Sequence, residues 1–262
     1  MRIARVFVGL LLLFVVTACG DDPKDGGTPS NAKETLPANR RLVMIFDPTV
    51  LAGGDSVRLG PDVLQPIHSA IAKLPGRTAL DFYVVGENRI EGKPEVTGAL
   101  DPVQTPAQKA VKEDSANKLG QSSALLAQAS AREVRSAPVK SATCVLTAIR
   151  RSRPSLAYAS ATGSQRERVV LVIVSDLLEA CDDFGSMNFE ASIPARFPEL
   201  PDSVDLSHVE SVHILKVAHP AVTTVGPDKR LQAAWRELLG RWGVSQDRIF
   251  IGPSLGPLFS RD

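Results

Sequence analysis

The chain is poor in the residue types on which most catalytic and metal chemistry depends. Three cysteines and four histidines in 262 residues form no paired-cysteine metal motif. His208 and His213 flank or sit in one extended run at an odd separation, so they face opposite ways and cannot share a metal. His68 and His219 stand alone in the sequence. No glycine-rich phosphate loop and no internal repeat is present. Excess charge is missing too: 30 basic side chains against 29 acidic ones leave no basic face of the kind nucleic acid requires. The pattern Gly252-Pro253-Ser254-Leu255-Gly256 spells a nucleophile elbow, but that serine needs a later histidine, and none lies between Pro257 and Asp262. The apolar run from Val6 to Val16 is well short of the ~20 residues that cross a bilayer.

What is present begins at the N-terminus. Arg2 and Arg5 precede the Val6–Val16 core, and small residues follow it, the order of a secretory signal. Val16-Thr17-Ala18-Cys19 resembles the lipobox of bacterial lipoproteins, in which the cysteine is acylated and becomes the first mature residue. The resemblance implies a signal peptide over 1–19, a palmitate-type anchor on Cys19, and a cell-envelope protein whose domain lies in the periplasm or at the cell surface. Two or more acyl chains hold a protein stably on its membrane. An ordinary secretory signal ending at an unmodified Cys19 is the alternative. Residues 1–19 contain two arginines and no acid, so the remaining chain carries 28 basic and 29 acidic side chains. Residues 20–39 have almost nothing to bury and read as a flexible tether with a reach of roughly 25 Å.

Residues 40–262 read as a single α/β domain. Arg168-Val-Val-Leu-Val-Ile-Val-Ser175-Asp176 is apolar without alternation and rich in β-branched side chains, the pattern of a strand covered on both faces. Arg41-Leu-Val-Met-Ile-Phe-Asp47-Pro-Thr49 has the same character, and both runs end in aspartate. The spacing predicts helices over 62–74, 104–135, 142–158 and 228–242, the third threatened by Pro154 and the last closed by Gly243. Further strands are expected at 79–85, 95–100, 209–217 and 248–251. Trp235 and Trp242 fall on the apolar stripe of their helix. Strands alternating with helices predict a doubly wound, mostly parallel sheet with helices on both faces. In such sheets ligands gather at the carboxyl ends of the strands, which makes Asp47 and Asp176 the first candidates for a site.

This order of elements, with an Asp ending the first strand and a Ser-Asp ending a later valine-rich one, resembles the von Willebrand factor type A domain over residues 40–257. The resemblance implies a metal-ion-dependent adhesion site of the Asp-x-Ser-x-Ser type. Asp47 and Thr49 match its first two positions, Thr143 its loop threonine and Asp176 its last aspartate. Leu51 replaces the third oxygen, so the set is degenerate. Mg²⁺ is the ion such oxygens suit. Two readings of the aspartates stand side by side: ligands of a divalent ion, or caps of helix N-termini. The acidic Glu179, Asp182 and Asp183 are read as a solvated loop.

In the type A arrangement Cys144 opens a helix at the edge of the sheet that also carries Cys181, in a compartment that oxidises thiols, so a Cys144–Cys181 disulfide is expected. Two buried free thiols are the alternative. The chain then reads as a membrane-tethered envelope lipoprotein that binds a protein partner at the top of its sheet and is not an enzyme, with Mg²⁺ as the only cofactor in view. A haloacid dehalogenase-like phosphatase using Asp47 is the runner-up, although Thr49 stands where that chemistry needs a second acid. A purely structural lipoprotein is the third.

Overall fold

The computed structural model describes residues 40–51, 67, 70–71, 74, 77–86, 92–101, 105–136, 144–157, 167–178, 197, 203–217, 225–255 and 258. Contacts divide the chain into two units, Met1–Thr35 and Leu36–Asp262, and every described residue belongs to the second. The expected signal peptide, the tether, Cys19, Thr143 and Cys181 therefore lie outside the described residues.

Among the described residues six strands form one sheet. They are β1 (Arg40–Phe46), β2 (Thr78–Val84), β3 (Val96–Leu100), β4 (Arg168–Ser175), β5 (Ser211–Lys216) and β6 (Ile249–Gly252). Their order is β3-β2-β1-β4-β5-β6, with β3 antiparallel to β2 and every other pair parallel. Among the described residues the continuous α-helices are α1 (Pro106–Ser136), α2 (Val145–Arg151), α3 (Arg153–Leu156) and α4 (Val225–Arg241). The fold is thus an α/β fold on a mostly parallel sheet.

Alternate residues of each strand feed two separate cores. Val43, Ile45, Val169, Leu171, Ile173 and Val212 pack with α2, α3 and α4 on one face. Leu42, Met44, Phe46, Val170, Val172 and Val174 pack on the other with α1 and with Ile67, Ala70, Ile71 and Leu74, the described apolar positions of the 62–74 stretch. Burial on both sides is why β1 and β4 show no polar alternation.

Local chemistry sets the helix ends. Thr105 and Gln108 form a reciprocal capping box ahead of α1, the Thr105 hydroxyl accepting the Gln108 N–H and the Gln108 side chain accepting the Thr105 N–H. The helix expected over 142–158 is interrupted at Ser152, and Pro154 occupies the first turn of α3. A proline there has no N–H to continue the ladder and is tolerated only where a helix starts. α4 begins three residues before its expected start and is closed just past Arg241 by Gly243, whose φ of +97° permits the closing bonds Gly243 N–H to Gly240 O and Val244 N–H to Leu239 O.

Two buried ion-pair groups brace the β1–β2–β3 side. Arg41 joins Asp81 at 2.5 Å and Glu167 at 3.1 Å, and Thr97 donates to Asp81 at 2.9 Å. Arg151 donates to the Val84 carbonyl, pairs with Glu95 at 3.2 Å and lies over the Tyr83 ring. No helix among the described residues is long and apolar enough to cross a membrane.

Candidate functional site at the β1–β4 switch point

The sheet order reverses between β1 and β4. From β1 the chain moves outward to β2 and β3 on one side, whereas β4, β5 and β6 lie on the other. Connections leaving the carboxyl ends of two such strands diverge, which opens a crevice between them. Phe46 is level with Val174, so Asp47, just past β1, stands beside Ser175, the last residue of β4, and Asp176 follows one residue on. The Asp47 N–H donates to the Val174 carbonyl at 2.9 Å, extending the ladder by one rung.

Asp47 precedes a proline, which biases it to extended backbone and ends the strand. A 3-10 turn, Pro48–Leu51, follows at once. The carboxylate closes this turn: Oδ1 accepts the Thr49 N–H at 3.0 Å and the Thr49 hydroxyl at 2.5 Å. Its other oxygen, Oδ2, accepts the Ser175 hydroxyl at 3.0 Å. The capping reading of Asp47 therefore holds, and it holds together with the pairing across strands. Asp176 makes its own local turn, accepting the Leu178 N–H at 2.9 Å.

Asp47 is wholly buried and Asp176 is nearly so. Burial first, and the negative charge of Asp176 second, push the Asp47 carboxyl up to about 6, against three donated hydrogen bonds that favour the anion. The Asp47 carboxyl faces the negative charge of Asp176 with little solvent to screen it. A proton, a cation or a donor from a partner relieves that repulsion.

Between the aspartates and β5 the chain adopts an unusual backbone. Leu177 has φ of +69°, a left-handed conformation that a non-glycine residue keeps only when its surroundings hold it there. Its side chain is buried in the α4-side core, its N–H donates to the Ser175 hydroxyl oxygen at 2.9 Å, and its carbonyl accepts the Trp235 indole N–H at 2.9 Å. On the far side, Val217 N–H donates to the Ser175 carbonyl at 3.0 Å, and Lys216 pairs with Asp228 in the first turn of α4.

Of the residues proposed from the sequence, Asp47, Thr49 and Asp176 come together at this rim. Thr143 and the side chain of Leu51 lie outside what the structure describes, as do Glu179, Asp182 and Asp183. Ser175 is the residue that sequence reasoning passed over, although it stands next to Asp176 at the strand end. Lys216, which ends an apolar strand as Asp47 does, carried a similar signal. Two carboxylates and two hydroxyls are oxygen donors of the kind Mg²⁺ takes. Among the described residues no group of three or more His, Cys, Asp or Glu gathers to hold a metal, so an ion here would rest on this pair, the hydroxyls and water.

Cys144 is disulfide-bonded, with its partner outside the described residues. Its Sγ accepts the Thr147 N–H at 3.3 Å and the Thr147 hydroxyl at 3.0 Å, capping α2. His208 and His213 have unrelated surroundings. His208 Nε2 meets the Leu156 carbonyl, whereas His213 sits between Ser211, at 3.0 Å, and the ring of Phe250. No family model matches the chain, and searches of curated proteins and of solved structures return no match.

Proposed function

We propose that this chain is a membrane-tethered lipoprotein of the bacterial cell envelope that binds a protein partner through the rim around Asp47 and Asp176. The observation that carries the reading is the side-by-side burial of two carboxylates at the switch point of a mostly parallel sheet, where open α/β sheets bind their ligands. Charge held there without solvent is unfavourable to the free protein, and of the two carboxylates Asp176 is the one with some exposure to a partner. The lipobox-like Val16-Thr17-Ala18-Cys19 supplies the anchor, and the type A resemblance supplies the choice of a binding module. A Mg²⁺ ion here would be held by Asp176 and the Thr49 hydroxyl, and by Asp47 only where the ion displaces one of the hydrogen bonds that its oxygens accept.

Crosslinking in intact cells with the full-length lipoprotein as bait tests the proposal. A discrete crosslinked product that disappears with Asp176→Asn is expected. The same product at undiminished yield with both aspartates replaced by asparagine removes the rim from the interface. Cys19→Ser moves the protein out of the membrane fraction if the anchor is as proposed.

The phosphatase alternative gains nothing from the geometry. An aspartyl nucleophile must present an oxygen to substrate, and Asp47 is unexposed with both oxygens accepting hydrogen bonds. Turnover of a generic phosphate ester with Mg²⁺, lost on Asp47→Asn, reverses that judgement. A structural lipoprotein with no partner yields neither a crosslinked product nor turnover.

A further inference from the structure

A continuous run of hydrogen bonds leads from the middle of α4 to the Asp47 carboxylate. The Trp235 indole N–H donates to the Leu177 carbonyl, the Leu177 N–H donates to the Ser175 hydroxyl oxygen, and that hydroxyl donates to Asp47 Oδ2. The three links differ in what else secures them. Ser175 is the last residue of β4, and its backbone is paired with β5, level with Lys216 and with its carbonyl accepting the Val217 N–H. Leu177 lies beyond the strand in a conformation it would leave if released, because a left-handed φ brings Cβ close to the next carbonyl oxygen. Its core-buried side chain fixes where the residue sits but not how its peptide planes turn. The indole is the donor found on the carbonyl side of Leu177.

We infer that Trp235 is a positioning residue for the Asp47/Asp176 rim, and that the placement of α4 sets the alignment of Ser175 and Asp47 through the left-handed turn at Leu177. The inference rests on the reading of the rim as a binding site only for its functional consequence; the conformational claim stands apart from it. Trp235 is completely buried, meets Phe197 edge-on at a centroid distance of 5.2 Å, and spends its one polar atom on a loop backbone. A buried indole needs an acceptor somewhere. Here the acceptor belongs to the residue that follows Asp176. α4 also sends Asp228 to Lys216 at the end of β5, so one helix touches the rim at two strand ends. A partner that shifts α4, or one that occupies the rim, then acts on the other.

Residue-resolved hydrogen exchange on the full-length protein tests the relay. Trp235→Phe keeps an aromatic ring and removes the donor. The Leu177 and Leu178 amides should then exchange roughly tenfold faster or more, with Val172 and Val174 of β4 little changed. Trp242→Phe, at the end of the same helix, should leave all four amides as they are. Unchanged protection at Leu177, or the same acceleration across β4 and α4, overturns the inference. Ser175→Ala supplies a milder probe should Trp235→Phe fold poorly. It should shift the indole N–H resonance of Trp235 and not that of Trp242; an unmoved Trp235 signal also overturns the relay. In the crosslinking experiment Trp235→Phe should lower product yield as Asp176→Asn does, and Trp242→Phe should not. If the wild type yields no product, the binding proposal fails alone and the exchange pattern still decides the role of Trp235.

Discussion

Replacing Asp47 with asparagine should make the protein more stable at pH 8 and no more stable at pH 4. The folded carboxyl titrates near 6, against 3.8 for the ordinary aspartate. Because the folded pKa is raised, the stability linked to this group is fully present below about pH 4 and is lost as pH rises through 6. A shift of about two units corresponds to about 3 kcal/mol of destabilisation carried at pH 8. Asparagine keeps an oxygen for the Thr49 N–H and hydroxyl. Its amide must donate to Ser175, whose hydroxyl hydrogen then loses its acceptor, at a cost of about 1 kcal/mol. The net expectation is a gain of about 2 kcal/mol at pH 8 that turns into a loss of about 1 kcal/mol by pH 4. His213 complicates the wild-type profile. Burial pushes it down to about 4, so its contribution is present above 6.5 and lost as pH falls, opposite in sign to that of Asp47. The difference between variant and wild type cancels this term. Urea unfolding followed by the fluorescence of Trp235 and Trp242 at several pH values measures it. A difference that stays constant between pH 4 and 8 refutes the account of Asp47 as a carboxylate held against its charge.

Three further outcomes follow from the packing. Arg41→Met leaves Asp81 and Glu167 nearly buried without their cation and should cost about 3–5 kcal/mol in urea unfolding; less than about 1 kcal/mol contradicts the buried pairing. Gly243→Ala places a Cβ at a φ of +97° and 3.0 Å from the Ser207 backbone, so thermal unfolding should show a loss of at least about 1 kcal/mol, and unchanged stability speaks against the left-handed cap. Reduction of the Cys144 disulfide should destabilise the domain by about 2–4 kcal/mol. A peptide map of the unreduced protein should join Cys144 to Cys181, and free thiols at both positions end that assignment.

Much of the fold was legible because its strands are buried on both faces. Burial of that kind leaves no room for polar alternation, so β1 and β4 announce themselves as unbroken apolar runs whose ends are marked by Asp47 and Asp176. α4 was equally plain, since one apolar stripe and one glycine specify where it packs and where it stops. These are local signals, set by solvent and by the conformational range of single residues. The break at Ser152 was only half legible: Pro154 signals trouble, but the contact that the restarted helix makes across the core, where the Tyr83 and Ser155 hydroxyls meet at 2.7 Å, belongs to the tertiary structure.

What the linear chain determined by itself is therefore the set of elements and the two carboxylates that end two of them. The tertiary structure decided that β1 and β4 are neighbours, because strand adjacency depends on how separate runs share two cores and not on any run alone. It also decided that Ser175 bonds to Asp47 across 128 positions of sequence, that Leu177 turns left-handed, and that a core tryptophan spends its N–H on that turn. Charge repulsion between Asp47 and Asp176 falls in the same class. Each carboxylate is ordinary in isolation, and burial first, with the nearby charge of Asp176 second, raises Asp47 to about 6.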